Sequence, residues 1–472
     1  MRIGEKIVKQ FRKTLSEYIP VIEIFKVMKE KEQVGFLDSS LVGERGNYSI
    51  LGMRPYHSIW KKNGILWING EQSMLDFEVY FSQYLNSNKK IKEHDVPFSD
   101  GAIGYFSYDY GRERMNVQTR HEKEDWDIPE AMWIFYDILI IEDCKRRTTT
   151  IICQGQTGEP EWMINDLLKQ WKEQSDRFDL VETNDRSEVS QGAVRANYTE
   201  KKYCEAIQKL IQLIVEGEVY IVNMTQMLEF SNLVSPKIFF LKLRDANPSS
   251  FGGFFDYGDF QIVCASPERF IRCQNGVLET RPIKGTRKRG RDPVEDRLMR
   301  DELEASQKDQ SELLMIVDLE RNDLNQVCIP GTVEVTKMNE VLSYATVHHL
   351  ESEIRGQLRN NQGFMDVIRT CFPGGSITGA PKLNSVKTID LLEKGKRGIY
   401  TGSIGYVDRS GDFDLNIVIR TALCQDGKYW IGAGGGVTCE SDPKFEYEET
   451  LQKAKALASV LGVTNLGEQV KR

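Results

Sequence analysis

Two apolar stretches separated by Asn275-Gly276 restrict the fold of this chain more than any other feature. Phe270–Cys273 and Val277–Pro282 alternate between apolar and polar side chains, which is the period of a half-buried strand. Asn-Gly favours a two-residue hairpin turn, because both turn residues must adopt a positive φ. The sequence therefore predicts an antiparallel hairpin here. A further strand is predicted just before it, at Phe260–Ala265.

Other periodic runs predict strands and helices on both sides of the hairpin. Further strands are predicted at 34–37, 48–51, 58–61, 65–68, 132–141, 399–408, 413–424 and 429–433. Helices are predicted near 17–32, 74–86, 200–216, 293–315, 363–371, 384–393 and 443–462. Thr199 is expected to cap the third of these helices, and Gly217 to end it. The polar stretch over 174–198 is the candidate linker.

The charge and cysteine content argue against several classes of protein. The 472 residues carry 62 basic and 70 acidic side chains, a formal charge of −8, whereas nucleic-acid binding requires a basic face. The nine cysteines form no Cys-x-x-Cys pair, which is typical of reduced thiols in the cytosol. Neither a signal peptide nor a run of about eighteen apolar residues is present. We predict a soluble, cytoplasmic protein that binds neither nucleic acid nor a membrane.

Two pairs of carboxylates have the spacing of a metal site. Asp309 and Glu312 are three residues apart in one predicted helix, and Glu446 and Glu449 are three apart in another. This spacing places both members of each pair on one helix face. Mg²⁺ prefers such oxygen ligands and combines one or two carboxylates with water and substrate oxygens. The alternative is that each pair only solvates its helix.

A glycine-rich run from Phe372 to Lys382 and a second one at Gly432–Gly436 predict close approach of the backbone to an anion. The hydroxyl groups of Ser376 and Thr378 add hydrogen-bond donors to the first run. The run lacks the Gly-Lys-Ser/Thr pattern of a nucleotide phosphate loop, so we do not predict ATP binding. The alternative is a set of tight turns without a ligand.

Three charged residues in and around the predicted strands are candidates for catalysis or binding. Lys284 follows the hairpin, and its amine is a nucleophile only when burial or a neighbouring cation favours the neutral form. Glu268 precedes it. If paired strands bring the two together, the carboxyl can act as a general acid and the amine as a nucleophile or a base. Arg420 is placed to clamp a carboxylate. The alternatives are a solvated surface lysine and an ordinary salt bridge.

Five segments together resemble the chorismate-utilising enzymes, in the order of that family and over residues 195–465. These segments are Pro282–Thr286, Ile316–Leu324, Pro373–Lys382, Tyr400–Gly405 and Gly434–Val437. The family includes the anthranilate, aminodeoxychorismate, isochorismate and salicylate synthases. Tyr48–Gly52 and Gly101–Asp109 also resemble its amidotransferase-dependent branch. The resemblance implies an α+β fold, two antiparallel β-sheets packed as a sandwich with helices on the outside. It also implies a catalytic region at 195–465 after an N-terminal region at 1–190 that contacts a partner.

The resemblance implies a role for each of fifteen residues. Glu312 and Glu449 match the Mg²⁺ ligands of the family, with Asp309 and Glu446 at the accompanying acidic positions. Glu268 matches the general acid near the C4 hydroxyl of chorismate, and Lys284 is the candidate nucleophile. The residues implied to bind substrate are Gly285, Thr286, His349, Ser376, Tyr400, Arg420, Gly434, Gly436 and Lys453.

Lys284 indicates one branch of this family. Anthranilate synthases typically have alanine at this position, whereas many aminodeoxychorismate synthases have lysine. The implied reaction has Mg²⁺ holding the ring carboxylate while the Lys284 amine attacks C2 and Glu268 assists departure of the C4 hydroxyl. Ammonia then adds at C4 and gives 4-amino-4-deoxychorismate. A separate glutamine amidotransferase subunit is the expected source of the ammonia.

Two positions depart from the pattern of the family, and two other functions remain open. Ile221 stands where the ammonia-using branches usually have glutamine and the isochorismate branch has lysine, and Leu313 stands where histidine often follows the metal glutamate. One alternative is an anthranilate synthase component, which eliminates pyruvate. The other is a regulatory protein without turnover that binds chorismate, or tryptophan near Phe36–Ser40.

Overall fold

The computed structural model describes residues 10–29, 32–43, 45–87, 96–121, 124–178, 193–231, 234–344 and 347–470. Most of the predicted linker at 174–198 lies outside these ranges. In the described part of the chain, no helix is both long and apolar enough to cross a membrane.

The strands of the N-terminal part are β1 (Phe11–Thr14), β2 (Val34–Asp38), β3 (Tyr48–Lys62), β4 (Ile65–Ile68), β5 (Glu71–Ser73), β6 (Gly101–Phe106), β7 (Ala131–Asp143), β8 (Thr148–Cys153) and β9 (Val194–Ala196). Those that follow are β10 (Ile221–Ser231), β11 (Phe251–Asp256), β12 (Gln261–Ser266), β13 (Arg269–Gln274), β14 (Val277–Thr280), β15 (Ile283–Lys288), β16 (Glu334–Ser343), β17 (Val347–Gln357), β18 (Gly379–Ala380), β19 (Ser403–Asp408), β20 (Phe413–Asn416), β21 (Thr421–Gln425) and β22 (Lys428–Val437). The predicted hairpin is confirmed, because β13 and β14 pair around Asn275 and Gly276, both with positive φ.

The helices are α1 (Val21–Val27), α2 (Phe77–Ser87), α3 (Tyr108–Arg114), α4 (Pro160–Phe178), α5 (Glu200–Val215), α6 (Pro236–Ala246), α7 (Pro293–Ala305), α8 (Gln307–Val327), α9 (Phe364–Cys371), α10 (Lys382–Leu392), α11 (Pro443–Val460) and α12 (Leu466–Gln469). One 3₁₀ turn spans Gly375–Ile377. Thr199 caps α5 as predicted, since its side chain accepts a hydrogen bond from the backbone N–H of Lys202. The single helix predicted at 293–315 is wrong, because Ser306 ends α7 and caps α8.

The fold is α+β, and its strands pair antiparallel. The two long strands β3 and β7 pair with each other along nearly their whole length. At one end of this pair, β3 also pairs with β2, and β7 with β8. At the other end, β3 pairs with β4, and β7 with β6. The two predicted sheets are therefore connected through shared strands into one hydrogen-bonded network.

Side-chain alternation along β7 shows how the two halves pack. Ile134 and Tyr136 point into an inner core, which also contains Ile262 of β12 and Ile404 of β19. The alternate residues of β7 face outward, toward cores that are covered by helices on either side. A strand buried on both faces has a nearly continuous apolar sequence, as β7 does.

Strands from the two ends of the chain lie side by side in this network. β6 pairs with β19, and β2 pairs with β11. The N-terminal part thus contributes strands to the same sheets as the C-terminal part. The division of function between residues 1–190 and 195–465 stays a prediction.

Candidate active site

One cavity of about 540 Å³ contains all fifteen predicted site residues in its wall. Its wall is built by β10, β15, β17, β22, α8, α11 and the 3₁₀ turn, together with the segments that precede β13, β19 and β21. These elements come from positions more than 200 residues apart in sequence. The convergence of the fifteen residues is a structural fact, whereas the role of each one remains a prediction.

Lys284 and Glu268 approach each other through Ser376. The Nζ of Lys284 donates a hydrogen bond to the backbone carbonyl of Ser376 at 3.2 Å, and the Ser376 hydroxyl donates to Oε1 of Glu268 at 2.7 Å. The predicted reason for this proximity, direct strand pairing, is wrong. Glu268 lies in the bend between β12 and β13, while β15 pairs with β17.

Burial sets the acidity of Glu268. Loss of solvent raises the pKa of this carboxyl above its usual value, against the opposing effects of the Ser376 hydrogen bond and the Lys284 charge. A carboxyl that holds its proton more firmly than usual, at the edge of a cavity, is suited to donating that proton to a departing oxygen.

Lys284 is positioned by an irregularity in β15. Its pairing with β17 shifts register between Lys284 and Thr286, and Gly285 between them has a φ of 68°. A Cβ at Gly285 would lie 2.9 Å from the side chain of Asp309, so both the backbone angle and the space require glycine.

The glycine run of β22 forms a wall without side chains beside the amine. A Cβ at Gly436 would lie 3.6 Å from Lys284 Nζ and 3.3 Å from Cδ1 of Ile221. Ile221 is buried, so an apolar side chain stands near the amine. At Gly432 a Cβ would collide with the ring of Tyr400, which places that ring against the same wall.

Three glutamates make one end of the cavity acidic. A Cβ at Gly435 would lie 2.8 Å from Oε2 of Glu449 and 3.0 Å from Oε2 of Glu446, so both carboxylates converge over this glycine. Burial raises the pKa of Glu312 and of Glu446, and the charge of Glu449 raises both further. Mutual repulsion of this kind is relieved by a cation.

The acidic end of the cavity matches the predicted metal site only in part. Asp309 forms an ion pair with Arg287 at 3.1 Å and is therefore already neutralised. Within the described ranges, no group of three or more histidine, cysteine, aspartate and glutamate side chains is close enough to enclose a metal. The convergence of Glu446 and Glu449 over Gly435 nevertheless suits Mg²⁺, which needs only one or two carboxylates when water and substrate supply the remaining oxygens.

Cations lie beside the acidic end. Lys453 Nζ is 3.2 Å from Oε1 of Glu449 and donates to the carbonyl of Gly434 at 2.9 Å. Arg420 donates to the backbone carbonyl of Lys453, and its guanidinium lines the cavity. Both groups are placed to meet the carboxylates of an anionic substrate.

His349 and Thr286 share a hydrogen bond across the β15–β17 pair. His349 Nδ1 and the Thr286 hydroxyl are 2.9 Å apart. Burial lowers the pKa of His349 to about 4, with a further contribution from the charge of Arg45. The imidazole is therefore neutral at neutral pH and offers a hydrogen bond rather than a charge.

Sequence reasoning missed Arg45 and Lys308. Arg45 forms a buried ion pair with Glu351, and its charge also lowers the pKa of Glu268. No local pattern connects Arg45 with residues more than 200 positions away. Lys308 Nζ lies 4.0 Å from Oε1 of Glu312, and its position four residues before that glutamate was a readable signal.

The profile of the chorismate binding enzyme family matches residues 41–459. The chain is 34% identical over 424 residues to aminodeoxychorismate synthase component 1 of Bacillus subtilis, covering 88% of this chain and 89% of that protein. It is also 32% identical over 467 residues to anthranilate synthase component 1 of Aquifex aeolicus, covering 95% and 93%. These two identities are too similar to separate the reactions.

A solved structure resembles the fold along nearly the whole chain. It is anthranilate synthase component I from Streptococcus pneumoniae, with a TM-score of 0.77 and 27% identity, covering 94% of this chain and 98% of that one. The fold and the matched residues agree with each other, since the matched range includes the whole cavity.

Proposed function

The chain belongs to the chorismate-binding enzyme family, and within it we propose the Mg²⁺-dependent amination of chorismate at C4. The product is 4-amino-4-deoxychorismate, the precursor of p-aminobenzoate in folate biosynthesis. The single observation that carries this proposal is the connection of the Lys284 amine through Ser376 to the Glu268 carboxyl, inside one cavity.

The proposed chemistry begins with the neutral amine of Lys284. Its nitrogen forms a bond to C2 of the ring, the two ring double bonds shift, and the C4–O bond breaks. Glu268 gives its proton to the departing hydroxyl, which leaves as water. Ammonia then bonds to C4, the double bonds shift back, and Lys284 leaves C2 with its electron pair. The Glu268 carboxylate takes the extra proton from the new C4 ammonium and is ready for another turnover.

Glu446 and Glu449, with Glu312 nearby, are the residues that would hold the metal ion. Bound Mg²⁺ supplies positive charge against the ring carboxylate of the substrate. Arg420 and Lys453 bind and orient the second carboxylate of chorismate, that of the enolpyruvyl group. The side-chain-free wall at Gly434 and Gly436 lets the ring lie close to the Lys284 amine.

Ammonia reaches the site from a partner subunit in this proposal. Both relatives described above carry the designation component 1, which implies a second component. A glutamine amidotransferase is the partner whose chemistry fits, because glutamine hydrolysis releases ammonia at neutral pH. In its absence, ammonium salt at high concentration substitutes for it.

The variant Lys284→Ala tests the proposal. The protein is incubated with chorismate, Mg²⁺ and ammonium salt, and both 4-amino-4-deoxychorismate and anthranilate are quantified by chromatography. We expect the aminated product to fall by at least about a thousandfold, because the nucleophile is lost. Lys288→Ala is the matched control, since Lys288 is an exposed lysine of the same strand.

Two results would contradict the proposal in different ways. Unchanged amination by Lys284→Ala would show that the amine does not act as a nucleophile. Anthranilate as the product of the unmodified protein, without added lyase, would assign the chain to the second candidate function, an anthranilate synthase component. The similarity to the Aquifex aeolicus protein favours that second candidate.

A further inference from the structure

Glu320 is a buried carboxyl directly behind the active site, and the proposed chemistry does not use it. It lies on α8, one residue after Leu319, and both pack beneath Gly375 of the 3₁₀ turn. A Cβ at Gly375 would be 3.6 Å from Cγ of Glu320 and 2.8 Å from Cδ2 of Leu319. The next residue, Ser376, is the one that connects Glu268 with Lys284.

The two contacts of the Thr280 hydroxyl favour one protonation state of Glu320. The Thr280 hydroxyl is 2.8 Å from the backbone carbonyl of Phe270 and 2.7 Å from Oε2 of Glu320. A hydroxyl has one proton and the carbonyl can only accept. When Thr280 donates to Phe270, the contact with Glu320 is satisfied if the carboxyl carries a proton and donates it to Oγ1 of Thr280. Both contacts are full hydrogen bonds at the same time only when the carboxyl is neutral.

The charges around Glu320 favour the same state. Lys382, on α10, is the nearby cation, but it pairs with Asp323 and donates to the carbonyl of Cys371. Among the residues that the structure describes, no cation forms an ion pair with Glu320. Burial, with the charges of Glu268 and Asp323, raises the pKa of Glu320 to about 8 against the opposing charge of Lys382. Cys371 also faces this group, and burial raises the pKa of its thiol.

We propose that Glu320 is a positioning residue, held as a neutral acid so that no negative charge stands behind Glu268 when Glu268 gives up its proton. This inference rests on the proposed role of Glu268 as the general acid. Coupling between two titrating groups is reciprocal, so an ionised Glu320 strengthens the hold of Glu268 on its proton. The departing hydroxyl is then protonated less readily, and turnover slows at alkaline pH.

The variant Glu320→Gln separates this role from a packing role. Its amide N–H replaces the acid proton toward Thr280 and cannot ionise, so the hydrogen bond is kept while the titration is lost. We expect the rate of Glu320→Gln divided by that of the unmodified protein to be constant below about pH 7. Between about pH 7 and about pH 9 the ratio rises by about tenfold, which is the change in the neutral fraction of a group with a pKa of about 8.

The ratio removes the effect of ammonia protonation, which is the same for both proteins. Asp318→Asn is the matched control, because it removes one carboxylate from an exposed position of the same helix, and its ratio stays flat. Thr280→Val is a second variant. Loss of its hydroxyl moves the alkaline decline to lower pH, because the protonated Glu320 then loses the acceptor of its hydrogen bond.

A readout other than turnover completes the test. Infrared difference spectra between the unmodified protein and Glu320→Gln at about pH 7 show the carbonyl stretch of a protonated carboxylic acid if the inference is right. A flat ratio across the pH range, or a missing acid band, overturns it. Chorismate disappearance and product identity are measured together, so an unexpected product contradicts the proposed function and a flat ratio contradicts only this inference.

Discussion

The active-site cavity and the ion-pair cluster around Glu279 are both rich in charge. The pKa values of their buried glutamates nevertheless shift in opposite directions. Glu279 of β14 contacts four guanidinium groups at 2.9–3.1 Å, those of Arg269, Arg272, Arg281 and Arg355. Burial alone raises the pKa of Glu279, but the four arginines overcome it and lower the pKa below its usual value. In the cavity, burial prevails and raises the pKa of Glu268.

This difference distinguishes charges that stabilise the fold from charges available for chemistry. Glu268 and Glu279 lie only eleven positions apart, and both are buried. Glu279 is fully paired and holds β13, β14 and β17 together. Among the described residues, Ser376 is the one side-chain hydrogen-bond donor to Glu268, which faces a cavity. A carboxyl that lies in a cavity, and whose charge is not balanced by ion pairs, is the better candidate for function.

Glu268→Gln is expected to have the largest effect. The amide accepts the Ser376 hydrogen bond but cannot donate a proton to the leaving hydroxyl, so turnover of chorismate falls by about 10²–10⁴-fold. The free energy of unfolding is unchanged or increases, because a buried acid has been replaced by a neutral amide. Steady-state rates and urea unfolding measure the two quantities. Nearly normal turnover would contradict the assignment of Glu268.

Glu279→Gln is expected to affect stability and not turnover. The folded variant turns over chorismate at the normal rate, but its free energy of unfolding falls by about 3 kcal/mol. The folded pKa of Glu279 is depressed, so its stabilisation is complete above the ordinary value of 4.5 and is lost as pH falls through the lower folded value. The free energy of unfolding of the variant therefore lacks this part of its dependence on acidic pH. Urea unfolding at about pH 7 and about pH 4 measures both effects.

Equal destabilisation of Glu279→Gln and Glu268→Gln would remove the distinction between the two regions. Arg272→Gln is the milder control in the cluster, because Arg272 is partly exposed and three arginines remain on Glu279.

Glu449→Gln is expected to have the smallest effect of the three. It removes one of the proposed oxygen ligands of Mg²⁺, so the Mg²⁺ concentration for half-maximal rate rises by about 10–100-fold. Its ion pair with Lys453 is partly exposed, and its loss changes the free energy of unfolding by less than about 1 kcal/mol. Mg²⁺ titration of the rate, after treatment with a chelator, measures the shift. Glu448→Gln is the control on the exposed face of α11, and an equal shift there would refute a specific site.

Local structure could be predicted where the signal was local. The Asn275-Gly276 turn and the Thr199 cap were readable because each depends on a few neighbouring residues. The division between α7 and α8 also has a local signal, because Ser306 caps α8. It was missed because the helical spacing of apolar residues continues across Ser306. β3 was predicted as two strands because its polar middle, around Arg54, resembles a break.

Residue types and spacing gave part of the composition of the site, the family resemblance gave the rest, and the connections between the residues could not be predicted. Residue types gave Glu312 and Glu449 as candidates, but not the role of Gly435 in giving room to the carboxylates. The approach of Lys284 to Glu268 depends on Ser376, about 100 residues away, and not on strand pairing. Arg45 acts on the cavity across a still longer separation, for which a single sequence carries no signal.

The pairing of β6 with β19 has a consequence for the biogenesis of this protein. Residues 101–106 can pair with residues 403–408 only after those have been synthesised. The sheet therefore cannot close until most of the chain has left the ribosome. At the usual speed of translation this delay is roughly 15–60 s, during which β6 has an open hydrogen-bonding edge. Contacts so distant in sequence also slow folding after release. The period of greatest exposure to aggregation is thus set by the order of synthesis, and chaperones that shield strand edges would act during that interval.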